Sequence, residues 1–289
     1  MSQSAADFDA RIERLFIYPV KSCAGIEVGE ALLTETGFDL DRAWMVVDAD
    51  GEFVSQRELP RMALVKPQLK WSEVILRAPG MLALHLAIDT VEAPMEVTIW
   101  DDTVPAFDMG AIAAQWFSDF LGQPGLRLVR FDPEFDRPSS REWTGDATAL
   151  NQFSDGYPLL VASTASLAQL NEKLQAAGHA AVGMERFRPN IVLEGLEAHD
   201  EDRIGEMQVE TADGAVRLRL VKPCARCPIP NIDPATGVSD PVVTDTLQGY
   251  RRNDRMGGAV TFAMNAIVLE GFGSSLRVGQ AVSGNWKFD

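Results

Sequence analysis

The sequence predicts a β-rich α+β fold in two strand-built parts, and three observations predict it. Short runs of alternating apolar and polar residues recur through most of the chain, two segments alone carry apolar residues at helical spacing, and residues 131–151 lose pattern between them. The chain of 289 residues is 46% hydrophobic and has no low-complexity tract, so it can build two modest cores or one large one.

Taken in order, residues 11–20 alternate around Ile12, Leu15, Ile17 and Val20, and Pro19 and Gly25 mark the end of that strand. Residues 43–47 form a second strand. The turn Asp48-Ala49-Asp50-Gly51 returns the chain into Phe53-Val54-Ser55 as a hairpin. Short strands follow at 64–66, 73–76, 82–88 and 95–99, and His85 between Leu84 and Leu86 is a strand residue. Residues 108–121 place Ile112, Trp116, Phe117, Phe120 and Leu121 on a helix that Gly122 ends. The run of Asp, Pro, Arg, Ser and Gly over 131–151 has the composition of a long exposed connection, and the domain boundary falls there. Beyond it, 159–161 is a buried strand, and Leu167, Leu170, Leu174 and Ala177 mark a helix closed by Gly178. Strands at 190–193, 207–211, 216–221, 266–269 and 281–288 complete a barrel-like domain.

A formal net charge of -16 sets nucleic acid aside, because phosphate-backbone binding draws its affinity from basic surface. It leaves room for a small anion where a few cations converge. No apolar run reaches the roughly 20 residues that cross a bilayer. The acidic, polar start of the chain lacks a secretory pattern, and three cysteines fit a reducing compartment, so the expected address is the cytoplasm.

Several residues carry chemistry. Lys21 and Ser22 end the first strand with a cation and a hydroxyl that reach an anion together, or stand as an ordinary surface pair. Arg42 in Asp41-Arg42-Ala43-Trp44 repeats that choice against a surface salt bridge with Trp44 packed inward, and Arg57 and Arg61 are second-rank candidates. Ser163, Thr164 and Ser166 sit at a helix N-terminus, whose free N–H groups suit an anion and equally suit simple capping by Ser163. Arg188 offers a planar fork for phosphate, and Asn190 can donate and accept toward a ring. Cys227 has Lys222 and Arg226 nearby and is both a soft ligand and a nucleophile. The spacing Cys224-x-x-Cys227 also allows half a zinc site or a redox dithiol, with Cys23 and three scattered histidines as the remaining ligands; Cys23 reads as a small buried residue.

Tyr18-Pro19-Val20-Lys21-Ser22, Asp41-Arg42-Ala43-Trp44, Phe187-Arg188-Pro189-Asn190 and Arg226-Cys227 followed by Asp233-Pro234-Ala235-Thr236-Gly237 resemble the MOSC superfamily, in particular its amidoxime-reducing group. The resemblance implies an N-terminal β-barrel-like domain over 10–130 and a MOSC β-barrel with a few helices over 146–289. It further implies molybdenum cofactor (Mo-molybdopterin) between them, contacted by Lys21, Ser22, Arg42, Ser163, Thr164, Ser166, Arg188 and Asn190. Cys227 becomes the molybdenum ligand and catalytic residue. The implied activity is two-electron reduction of a small N-hydroxylated or N-oxide compound; a cofactor carrier and a sulfur-transfer protein are the alternatives. Pro230 and Asn231 stand where that group usually has two threonines. The chain lacks an iron–sulfur cysteine pattern and a dinucleotide-binding glycine run, so a separate electron-donor protein is expected, docking on Arg251, Arg252 and Arg255.

Overall fold

The computed structural model describes residues 6–90 and 93–287. β1 (Phe8–Ile17) is followed by three short strands, β2 (Ile26–Val28), β3 (Glu30–Thr34) and β4 (Gly37–Phe38), whose few residues give no readable alternation. Next come β5 (Trp44–Val47), β6 (Lys66–Leu69), β7 (Glu73–Arg77), β8 (Leu84–Ala87), β9 (Ala93–Ile99), β10 (Asp102–Asp108), α1 (Ala111–Leu121) and β11 (Arg127–Phe131). After α2 (Arg141–Thr144), the chain runs through β12 (Leu159–Ser163), α3 (Thr164–Ala176), β13 (Ile191–Glu194), β14 (Ile204–Thr211) and β15 (Gly214–Ala225). α4 (Val242–Gln248), β16 (Arg252–Asn253), β17 (Ala259–Glu270), β18 (Ser275–Arg277) and β19 (Ala281–Trp286) end it. Phe288, the expected end of the last strand, lies outside the described residues. No helix among the described residues is long and apolar enough to cross a membrane.

Seven strands close into a barrel in the order β12-β13-β1-β19-β14-β15-β17, and β12 pairs again with β17 to shut it. Closure removes the open edges that a sheet otherwise exposes. The interior is aliphatic, with Leu15, Val161, Ile191, Leu193, Val209 and Leu218 all buried. In β1, Ile12 and Leu15 share that interior although they are three apart, because the register slips between Ile12 and Arg14 and a bulge resets the alternation. Phe16 and Tyr18 therefore face the opposite way, into a second core under α3 and α4.

Sheet membership does not follow the 131–151 connection. β1 hydrogen-bonds to β13 and β19, so it is built into the C-terminal barrel, and β3 pairs with β18 in a separate three-stranded sheet that also joins the two halves of the chain. The alternating pattern of β1 shows that it is a half-buried strand but carries no information about its neighbours. The rest of the N-terminal half forms the sheet β5-β11-β10-β9 and the meander β6-β7-β8, with Trp116, Phe117 and Phe120 of α1 packed against Val46 and Leu128. Gly122 ends α1 at φ 72, a left-handed cap that glycine adopts without a Cβ clash.

The connection is largely exposed, as its composition predicts, but it is pinned at one buried residue. Arg137, 5% exposed, donates from Nη1 to Asn151 Oδ1 (2.8 Å) and to the carbonyls of Gln152 (2.7 Å) and Ser154 (2.8 Å). Its Nε donates to Asp102 at 2.8 Å, and Pro138 bridges Leu150. Composition identified the polar residues; their wiring to one another makes the segment an ordered strap.

Candidate functional site

The ends of β1, β13 and β15, the turn before β5 and residues 154–157, which follow the strap, meet around a cavity of about 240 Å³. Six cations line it, Lys21, Arg42, Arg57, Arg188, Lys222 and Arg226, against a single carboxylate, Asp155. In a chain of net charge -16 this concentration makes the cavity attractive to an anion although the protein as a whole is not.

The arginines are held by backbone and ring contacts. The guanidinium carbons of Arg42 and Arg188 both lie 4.4 Å from the ring centroid of the buried Tyr18. Arg42 donates to Asn190 Oδ1 and to the Arg188 carbonyl, each at 3.1 Å, and pairs with buried Asp41. Arg188 donates to the Cys23 carbonyl at 2.6 Å. Burial, and after it the nearby Arg42, pulls the Arg188 guanidinium down from 12.5 to about 10, so it stays charged at neutral pH. Ser22, Arg42 and Arg188 all hold positive φ, 66, 53 and 59 degrees. Non-glycine residues in that region are strained by roughly 1–3 kcal/mol each and persist where the surroundings over-determine them, typically at ligand sites.

Lys21 is buried, and its Nζ donates to the Phe153 carbonyl at 2.9 Å and pairs with Asp155. Burial lowers the Lys21 pKa and Asp155 opposes that shift. Burial would raise the Asp155 carboxyl, but Lys21 and Trp100 Nε1, which donates at 3.2 Å, outweigh it and hold it well below the usual carboxylate range. The Asp155 side chain is 69% exposed at the rim, so solvent screens this pair.

Cys224 and Cys227 both line the cavity, and all three cysteines are free. Arg226 donates from Nη1 to Cys224 Sγ at 3.0 Å and from Nη2 to the Phe187 carbonyl at 3.1 Å, so its fork addresses Cys224 and the Arg188 turn, not Cys227. Among the described residues no three His, Cys, Asp or Glu side chains converge for a metal ion. A protein-held zinc therefore has no ligand set here, whereas a metal that arrives with its own sulfur ligands needs one thiolate. Arg226 Nε and Tyr157 OH on the cavity wall are buried without partners. Cations, spare donors and one uncommitted thiol fit an anionic group carrying a soft metal.

Lys21, Ser22, Arg42, Arg188, Asn190 and Cys227 are thus brought together, joined by Arg57. Asn190 is 1% exposed and works mainly inside the protein: Oδ1 accepts from Arg42 and from Leu160 N, and Nδ2 donates to the Phe16 carbonyl. Ser163, Thr164 and Ser166 are not at the cavity. Ser163 caps α3 by accepting from Ser166 N at 3.1 Å, and both serine hydroxyls donate to the buried carboxyl of Glu201, from 2.6 to 2.9 Å. An internal carboxyl has taken the place of a ligand at that helix end. Arg61 lies over Phe120 at 4.7 Å, away from the site. Cys23 is fully buried, its thiol pushed up to about 12, and His85 pairs with Glu73 on the meander as a strand residue. Ser154, Asp155, Gly156 and Tyr157 were not singled out from sequence, since a patternless segment gives no sign of which face it presents.

The family model described as the MOSC N-terminal beta barrel domain matches residues 9–124, and that of the MOSC domain matches residues 149–283. Mitochondrial amidoxime reducing component 2 of Homo sapiens is 35% identical over 252 residues, covering 84% of this chain and 73% of that protein. The protein of the same name from Rattus norvegicus is 33% identical over 254 residues, with the same shares. Molybdenum cofactor sulfurase of Bos taurus is 29% identical over 274 residues, 86% of this chain and 30% of that one.

Proposed function

We propose that this chain, which belongs to the family joining a MOSC N-terminal beta barrel domain to a MOSC domain, holds molybdenum cofactor in the cation-lined cavity and reduces N-hydroxylated or N-oxide compounds. The observation that carries the reading is the convergence of six cations and Cys227 on one cavity of an acidic protein. In this reading Lys21, Ser22, Arg42 and Arg188 hold the phosphate and pterin, Asn190 positions Arg42, and Cys227 ligates the metal. The bound cofactor supplies two-electron chemistry. For an amidoxime, two electrons and two protons break the N–O bond and release an amidine and water. The electrons come from a separate donor protein. Three free cysteines fit a reducing compartment, and we place the protein in the cytoplasm.

Arg251 drops out of the proposed donor-docking patch. Its side chain is 12% exposed and is committed to Asp202 and to the Thr261 carbonyl, leaving Arg252 and Arg255.

Elemental analysis for molybdenum, together with fluorescence of the oxidised pterin released on denaturation, tests the cofactor. Reduction of benzamidoxime with reduced viologen, and none with NADH or NADPH alone, tests the activity. The relative named as a cofactor sulfurase favours a second reading, sulfur transfer, in which purified protein carries a persulfide on Cys227. Intact mass heavier by one sulfur atom, without turnover, would support that instead.

A further inference from the structure

A second cavity of about 260 Å³ shares Arg188 and Ile229 with the first. Its walls include Ile229, Ile232, Pro234 and Ala235, which follow Cys227 in the chain, and Ala24 and Ala63 opposite them. Arg186 fixes this arrangement. It donates to the Pro230 carbonyl at 3.2 Å and lies 3.5 Å from Asp233, tying the segment after Cys227 to the turn that carries Arg188. Gln56 also lines the cavity; it is 3% exposed, and its amide nitrogen has no partner. A buried donor without an acceptor is costly by roughly 1–3 kcal/mol, which a ligand atom placed there would relieve.

We propose that this second cavity is the subsite for the organic substituent of the substrate, a planar aryl or heteroaryl group, and that Gln56 favours rings carrying an acceptor atom. The proposal rests on the reductase reading for the reacting end of the molecule, which the shared wall of Arg188 and Ile229 places toward the Cys227 cavity. The small apolar side chains leave room for a flat ring, and Lys66, Glu185, Arg186 and Arg188 complete the lining.

The test is a titration by calorimetry of benzamidoxime, pyridine carboxamidoximes and acetamidoxime into wild type, Ala235→Trp and Gln56→Leu, with molybdenum content measured on each sample. Ala235 is exposed, so the indole can fill the cavity mouth without entering the core. Ala235→Trp should weaken benzamidoxime about tenfold and acetamidoxime no more than about twofold, a loss of steric kind. Gln56→Leu should remove the preference for whichever pyridyl isomer wild type binds above the phenyl compound. Equal weakening of ring and methyl compounds, or none, overturns the subsite. Ring-selective binding without turnover keeps the subsite and removes the reductase reading.

Discussion

The cavity around Arg42 and Arg188 and the cluster around Glu201 are two polar regions of one barrel, and they use their polar groups in opposite ways. At the cavity, the cations outnumber carboxylates and two donors, Arg226 Nε and Tyr157 OH, have no internal acceptor. At the N-terminus of α3, Ser163 and Ser166 have both hydroxyls on one buried carboxyl, and His199 N adds a further bond to Ser166 at 2.8 Å. The same kinds of residue therefore bind a ligand or hold the fold according to whether the chain supplies the partner itself. Changes at the cavity should alter what is bound and leave stability alone; changes at the cluster should do the reverse.

The largest expected effect is that of Cys227→Ser, which should remove molybdenum and reduce amidoxime turnover to background while shifting unfolding free energy by less than about 0.5 kcal/mol. Cys224→Ser should retain most of both, since a serine hydroxyl can accept from Arg226. Equal loss in the two variants would break the assignment of a single ligand.

On the other side of the comparison, Glu201→Ala should destabilise the protein by roughly 2–4 kcal/mol, because two serine hydroxyls lose their acceptor inside the core. Molybdenum per folded molecule should not change. The pH dependence sharpens the point. Burial raises the Glu201 carboxyl above its ordinary value of 4.5, so between that value and the raised one the native state holds a proton that the unfolded chain has released. Stability contributed there is lost as pH rises through the window. Denaturant melts of Glu201→Gln should therefore gain on wild type with increasing pH, and a difference that is flat with pH would contradict this.

Arg188→Ala or Lys21→Ala removes a charge-assisted contact of roughly 1.5–3 kcal/mol, about tenfold to a hundredfold in affinity. The expected product is cofactor-poor protein with normal turnover per bound molybdenum. Full occupancy with slower chemistry would move these residues from cofactor to substrate.

The smallest effect belongs to the surface. Arg252→Glu with Arg255→Glu should slow a protein donor several-fold at low salt and much less at high salt, leaving the viologen reaction nearly unchanged. Arg251→Glu should instead lower the melting temperature, because it breaks the part-buried contact with Asp202 and sets two carboxylates side by side.

The sequence by itself determined the class of fold, the glycine-stopped helix whose start the structure moves from 108 to 111, and part of the set that gathers at the cavity, Lys21, Ser22, Arg42, Arg188, Asn190 and Cys227. Those signals are local: alternation, helical spacing and short runs such as Lys21-Ser22 and Phe187-Arg188-Pro189-Asn190 are written within a few neighbouring positions. What only the tertiary structure decided was which groups face each other. β1 reads as an ordinary strand and lies between β13 and β19; the strap reads as a loose connection, and its Arg137 holds the Ser154 carbonyl beside Asp155 and Tyr157 of the cavity. Ser163 and Ser166 read as ligand donors at a helix end, and Glu201, thirty-five residues beyond Ser166, takes their hydroxyls. A hydrogen bond is satisfied by whatever acceptor the fold delivers, and over such separations no local pattern encodes which one that is.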